Sequence, residues 1–547
     1  MHGGVKVYRG AAGPARTYVE ADRSRADDYY LAEGTGVARR YAATGAGAGR
    51  VVELPGLDGE AYESWVAGHD PETGQPRGRL RTDEHAVRFV EVVVNGPKSW
   101  SLAAELHPDV AAAYEGAQDR AATEIIGWLA QHATTRVGPR GGQVAVPLDC
   151  VEAAVVRHYT SRAGDPHRHL HLQVNARVFA AGRWRGIDTV AVRDSIAAIN
   201  GIGHAAVACD PAFRTALAGH GYSFDASGEI SQLAPYVGPF SRRAAQIGRH
   251  LDRYETEWSA AHPGDQPGPA LRRSWDARAW AEDRPDKVTP QPGADLHRRW
   301  LDELSRLGYR DRGKSIPLAP VLVGRVDRDR AAGEVLARLG AARSGWNAAD
   351  VRGEVEQLLA RAGIVADPAV RGELAEDLTA RTLARCAPLL PRSTPEHVRS
   401  LTSPRVLNVE ADIAGRLAVR GAEPATDADP ALVPRHTADA GRRLDDCQAR
   451  AVAVLAGQRA LIVVEGAAGA GKTTTLAATR DLLTEQGHRL VVVTPTLKAA
   501  KAAAAEVGAQ AGSAAWLAHQ HGWRWTDTGM WSRLRVGDTD PVTGRGY

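Results

Sequence analysis

Apolar and polar positions alternate in short runs over the first half of the chain. Arg88–Asn95 (RFVEVVVN) is rich in β-branched residues and stops at Gly96-Pro97, which predicts a strand. Val155–Tyr159 and His169–Phe179 predict two more, and Gly164, Asp165 and Pro166 between them predict a hairpin. Ser101–Glu115 and Tyr114–Gln131 carry helical patterns. From about Val321 the pattern becomes helix-rich. Val351, Val355, Leu358 and Leu359 fall on one helical face, Asn347 is a candidate N-cap, and Asp367-Pro368 is a second helix start. After about Arg442 the pattern changes again. Leu461–Glu465 predicts an apolar strand, Gly466–Thr473 a glycine loop, Thr474–Glu485 a helix and Leu490–Val493 a second buried strand, the opening of a parallel α/β domain.

These shifts divide the 547 residues into an antiparallel sheet with helices over 1–317, a helical connector over 318–434 and a partial P-loop α/β domain over 435–547. The expected class is therefore a multidomain α/β and α+β protein. No Asp-Glu pair follows a strand after Val493, so the last part is expected to be a truncated start of its domain, with ATPase or helicase turnover in doubt. The chain is 44% hydrophobic and 24% charged, ordinary for a globular protein. Its net charge of +3 excludes a strongly polycationic binder but not a local basic surface. Of the 68 basic residues 61 are arginine, whose planar fork suits phosphate. Cys150, Cys209, Cys386 and Cys447 are far apart in sequence, which fits reduced thiols. With no export segment at the N-terminus and no apolar run of about 20 residues, the expected place is the cytoplasm, away from membrane.

The chemistry concentrates in two places. His169 and His171 are two apart on a predicted strand and so share a face, while Leu170, Leu172 and Val174 face the other way. If the two strands pair, His158 joins them, and three neutral imidazoles suit a divalent metal such as Mg or Mn with positions left open. His167 is read as a bystander at the turn. The second place is Gly466-Ala-Ala-Gly469-Ala-Gly471-Lys472-Thr473, a full P-loop pattern between a strand and a helix. Its backbone N–H groups, Lys472 and Thr473 are candidates to hold ATP with Mg.

The run from His158 to His171 resembles the metal-binding motif of the TrwC/TraI-type (MobF) conjugative relaxases, members of the HUH endonucleases. Phe89–Ser101 (FVEVVVNGPKSWS) is similar to that family's strand with an acidic residue, here Glu91 where aspartate is usual, followed by a Pro-Lys-Ser turn. The resemblance implies that His158, His169 and His171 bind a metal gripping the scissile phosphate of single-stranded DNA at a plasmid origin of transfer. It implies a tyrosine nucleophile near the N-terminus, where Tyr18, then Tyr29 and Tyr30, are the candidates. Tyr18 is followed by Val19 in place of a second tyrosine. A free phenol has a pKa near about 10, so the nucleophile needs help. Glu91 either orients a ligand histidine or accepts the phenolic proton. The product would be a covalent phosphotyrosine and a free 3′-OH. Gln448 resembles the adenine-reading glutamine of superfamily 1 helicases, and Thr494–Lys498 the strand end that touches single-stranded DNA there. Other relaxosome proteins and a coupling ATPase are the further partners implied. The competing readings are a non-cleaving DNA-binding remnant and a rolling-circle replication initiator.

Overall fold

The computed structural model describes residues 4–16, 38–45, 50–139, 142–161, 163–261, 269–282, 293–311, 313–391, 394–423, 425–433, 443–467, 469–526, 531–540, 544 and 546. They form two compact units, 1–248 with 281–403 and 249–280 with 404–547.

The first unit is built on an antiparallel sheet. Its strands are β1 (Val5–Arg9), β2 (Ala38–Thr44), β3 (Val51–Leu57), β4 (Val87–Asn95), β7 (Cys150–Thr160) and β8 (Pro166–Asn175), in the order β1-β4-β8-β7-β2-β3. A side ribbon, β5 (Thr134–Val137) with β6 (Val144–Pro147), precedes β7. β9 (Arg177–Ala180) and β10 (Arg183–Gly186) follow β8 and join the sheet at Cys150. The predicted strands at 88–95 and 155–159 form, and the hairpin closes with His158 opposite His169. The predicted strand at 169–179 starts earlier, at Pro166, and is broken at Ala176.

Period-two patterning places the sheet between two covers. Leu170, Leu172 and Val174 of β8 and Val90, Val92 and Val94 of β4 are at most 1% exposed and enter one core. That face is covered by α2 (Lys98–Leu106), α3 (Pro108–His132) and α4 (Ile196–Ala208). The helical run predicted across Ser101–Glu115 is cut at His107, whose backbone is extended (φ −138°, ψ 115°). Pro108 causes the cut, because its ring clashes with a helical residue before it and it donates no hydrogen bond. The opposite face carries His169, His171, Gln173 and Asn175 and a smaller apolar cluster under α1 (Gly59–Ala67), built from Tyr62, Trp65, Val66 and Phe89.

The helices after residue 318 do not form a separate body up to Ser403; they belong to the first unit. The capping box at Asn347 forms and α5 (Ala348–Arg361) follows it, burying Val351, Val355, Leu358 and Leu359. α5 crosses α4 with backbones in contact. A Cβ on Gly353 would lie 2.4 Å from the Ala197 carbonyl oxygen, and one on Gly201 would lie 2.7 Å from that of Gly353. Pro368–Ala384 is the next helix, and its buried Arg371 pairs with Glu356 of α5 and Glu124 of α3.

The second unit contains α6 (Lys472–Glu485), a parallel pair β11 (Val491–Thr494) and β12 (Gln510–Ser513), and an antiparallel hairpin β13 (Trp523–Trp525) with β14 (Trp531–Arg533). The strand predicted over Leu461–Glu465 does not form. Among the described residues no strand pairs with it, and Val463 and Val464 are exposed. An extended segment becomes a strand only through a neighbour's hydrogen bonds, so apolar sequence alone did not suffice. No helix among the described residues is long and apolar enough to cross a membrane.

Candidate metal centre and nucleotide loop

The three histidines meet on the two central strands. In the β7–β8 register His158 stands opposite His169, and His171 is two residues further along the same face. Their ring centroids are 4.7 to 5.3 Å apart, and one nitrogen from each lies within 4.8 Å of the others. His158 and His169 are buried and His171 partly so.

The surroundings select the ligand form. His169 Nδ1 is 2.7 Å from the His167 carbonyl oxygen, which makes Nδ1 the donor and leaves Nε2 with a lone pair. Burial, reinforced by the neighbouring His171, pushes the His169 pKa down to about 3, so its imidazole is neutral. His171 Nδ1 lies 3.3 Å from Glu91 Oε1, an ion-pair distance at which the ring nitrogen makes no aligned hydrogen bond. Burial opposes ionisation of Glu91, but His171 and Gln173 outweigh it and hold the carboxyl below its ordinary value. Gln173 Nε2 stands 3.4 Å from Glu91 Oε2, and Tyr62 donates to Gln173 Oε1 at 2.7 Å. Glu91 thus sits between the His171 ring and the Gln173 amide. These donors fit a divalent cation: three imidazoles on one face, with Nδ1 of His169 already engaged and Nδ1 of His171 beside a carboxylate.

Five residues beside the triad carry no site role in the sequence reading, in which His167 is a bystander at the turn. His167 lies within β8 on the same face as His169, their rings 4.6 Å apart; its spacing two residues before His169 was the available signal. Its imidazole is held neutral, chiefly by burial. Lys98, quoted only as part of a turn, is half-buried and donates to the Pro166 carbonyl oxygen at 2.9 Å, at the start of the histidine strand. Burial pushes its ammonium down to about 8, against the pull of Asp165 and Glu229. Ser99 of the same turn hydrogen-bonds the Glu229 carboxylate. Gln173 with Tyr62 carried no motif at all. Tyr18, Tyr29 and Tyr30 lie outside the described residues.

In the second unit Gly469 and Gly471 adopt φ of +77° and +76°, a region costly for side-chain-bearing residues. At Gly471 a Cβ would also lie 2.3 Å from Gln448 Nε2. Gly471 caps α6, which opens at Lys472 and carries Thr473 in its first turn. Lys472 Nζ folds over the loop and donates to the Gly466 and Ala467 carbonyl oxygens at 3.0 and 2.8 Å. Gln448 has both ends of its amide engaged: Oε1 accepts from the Asp445 N–H, and Nε2 donates to the Ala470 carbonyl oxygen at 3.2 Å.

Fold and site together define an HUH-type protein, an antiparallel sheet whose central strands present a histidine triad, followed by a P-loop domain. The TrwC relaxase family matches residues 12–307, and the chain belongs to that family. An AAA domain matches residues 443–538. No curated protein sequence is significantly similar to the chain. Among solved structures, the conjugative relaxase TrwC in complex with oriT DNA is similar in a copper-bound form, at 22% identity and a TM-score of 0.41 over 56% of this chain and 99% of that one. A metal-bound form of that complex is 20% identical, with a TM-score of 0.41 and the same coverage. TrwC with a 27-mer comprising the recognition hairpin and the cleavage site is 19% identical, with a TM-score of 0.39 over the same shares.

Proposed function

We propose that this protein is a conjugative relaxase that nicks one strand of plasmid DNA at an origin of transfer, joined to an ATP-binding, helicase-type domain. The observation that carries the reading is the triad, three imidazoles from paired central strands with ligand nitrogens within 4.8 Å of one another. It is supported by membership of the TrwC relaxase family.

The proposed ligands are His158, His169 and His171. A divalent cation such as Mg or Mn held there supplies Lewis acidity to the scissile phosphate. The chain's own residues do the rest. A tyrosine hydroxyl, Tyr18 first and Tyr29 or Tyr30 next, attacks phosphorus. The P–O3′ bond to the nucleotide on the 5′ side breaks, leaving its 3′-OH free, and the phosphate, still held by the 5′ oxygen of the next nucleotide, becomes a tyrosyl ester. The phenolic proton passes to the leaving oxygen, directly or through a carboxylate. Glu91 serves chiefly to orient His171, given its position at the ring nitrogen. The phosphodiester energy is conserved, so the strand can be rejoined.

The domains of this reading are the relaxase part (1–317), the helical part (318–434) and the P-loop part (435–547). In the last, Gly466, Gly469, Gly471, Lys472 and Thr473 hold ATP with Mg, and Gln448 at the loop's edge reads adenine. Other relaxosome proteins and a coupling ATPase are the proposed partners besides single-stranded DNA.

The test is cleavage of single-stranded oligonucleotides tiling the non-coding DNA beside its own gene, with Mg or Mn and with chelator. Site-specific cleavage that needs the cation and is lost in His169→Ala supports the reading. Cation-independent cleavage, or none on any tile, would overturn it.

A further inference from the structure

The hairpin β13–β14 lies far in sequence from the histidine triad and has no part in the chemistry above. In its register Trp525 stands opposite Trp531, and Trp523 opposite Arg533. Side chains two apart on a strand share a face, so Trp523, Trp525, Trp531 and Arg533 all lie on one side and Arg524 and Ser532 on the other. The two sides are built differently. Arg524 is buried, with its guanidinium donating to Asp540 Oδ2 at 2.6 and 2.9 Å and to the His519 carbonyl oxygen at 3.0 Å, which pins the ribbon to the unit beneath. The three indoles stay open, 38%, 42% and 45% exposed for Trp523, Trp525 and Trp531.

Three exposed tryptophans on one short ribbon are unusual, since large aromatic rings normally end in a core. They are also grouped. Trp531 is 4.8 Å from Trp525 and 6.3 Å from Trp523, centroid to centroid, and the Arg533 guanidinium stands 5.8 Å from the Trp523 ring. Trp525 and Trp531 are tilted by 32° to each other and Trp523 meets Trp531 edge-on at 69°. Exposed indoles in a group with a cation beside them match unstacked bases and their phosphates: rings take the bases, arginine the charge. An apolar peptide would use the rings but not the cation. A duplex hides its base faces.

We infer that this tryptophan face is a stacking platform for single-stranded nucleic acid, bound without sequence preference and separate from the nicking site. The inference rests on the proposed reading in taking single-stranded DNA as the protein's substrate. It assigns the contact to Trp523, Trp525, Trp531 and Arg533, on the unit that carries the P-loop.

The experiment uses the full chain and a 5-bromouracil-substituted oligo(dT), with photo-cross-linked peptides mapped by mass spectrometry and affinity measured by fluorescence anisotropy. Cross-links are expected on the peptide holding Trp523 to Arg533. Trp525→Ala with Trp531→Ala is expected to weaken oligo(dT) binding by about tenfold or more, as loss of one stacked base does. Trp525→Phe with Trp531→Phe keeps a ring at each position and is expected to retain most of the affinity, which excludes simple misfolding of the alanine pair. Cross-links confined to the first unit, with unchanged affinity in the alanine pair, would overturn the platform and leave the relaxase reading standing. No cross-link anywhere in the chain would overturn both. Equal affinity for a duplex of the same length would overturn base stacking as the mode of contact.

Discussion

Replacing Glu91 by glutamine keeps the side chain's size and removes its charge. Glu91 Oε1 is 3.3 Å from His171 Nδ1, which leaves Nε2 for the proposed cation. A carboxylate there raises the basicity of the ligating nitrogen and fixes the ring, and removing such a partner typically costs about 10- to 100-fold in metal affinity. That is roughly 1.4 to 2.7 kcal/mol. Glutamine can still hydrogen-bond His171, so the lower end is the expected outcome. The pH dependence adds a second reading. The Glu91 carboxyl is held below its ordinary value, with burial opposing and His171 and Gln173 prevailing. Its contribution to stability is therefore full above the unfolded carboxyl pKa of about 4.3 and is lost as pH falls through the lower folded value. Glu91→Gln should remove that acid-side loss. Isothermal titration with Mn²⁺ at neutral pH measures the first effect and thermal melts from pH 7 to 3 the second. Unchanged Mn²⁺ affinity would refute the role of Glu91 in orienting His171.

Other consequences follow from single contacts. Glu152 is the shared partner of the buried Arg40 and Arg77, at 3.1 and 2.7 Å, so Glu152→Leu leaves two buried guanidinium groups short of charge and should destabilise the first unit by about 3–5 kcal/mol. Urea unfolding checks it; a loss below about 1 kcal/mol would contradict the buried network. Gly353→Val drives a branched side chain into the Ala197 carbonyl and should cost about 1–3 kcal/mol, read as a lower Tm. An unchanged Tm would mean that the two helices are not in backbone contact. Lys472→Ala should abolish binding of a fluorescent ATP analogue while leaving strand cleavage intact, because Lys472 folds over the phosphate loop of the other unit. Retained binding would place the nucleotide elsewhere.

The sequence was most legible where chemistry and periodicity coincide. His158, His169 and His171 could be placed on one face because strand parity is strict and Gly164, Asp165 and Pro166 signal a hairpin, although the predicted loop is long. The P-loop's positive φ values follow from its glycines in the same way. Long-range pairing was less legible. β2 inserts beside β7, and β1 beside β4, from sequence more than 75 residues away, and nothing local in Ala38–Thr44 announces that register. The packing of α5 on α4 through Gly353 and Gly201 was hidden because a glycine in a helical pattern reads as a weakness until its neighbour is known. Leu461–Glu465 shows the converse: composition marked a strand, yet no neighbour supplies a ladder among the described residues. Glu91 was visible through resemblance to a family, but its place 3.3 Å from the His171 ring could not be read from the sequence.

The most direct test is to trap the covalent intermediate. The purified chain, a cleavable single-stranded oligonucleotide and Mg or Mn should give a DNA–protein adduct, and peptide mapping should find the nucleotide on Tyr18, Tyr29 or Tyr30. Chelator and His169→Ala should each prevent it. An adduct on Tyr114 or a later tyrosine, or undiminished adduct formation in His169→Ala, would contradict the assignment of a cation-assisted tyrosine nucleophile.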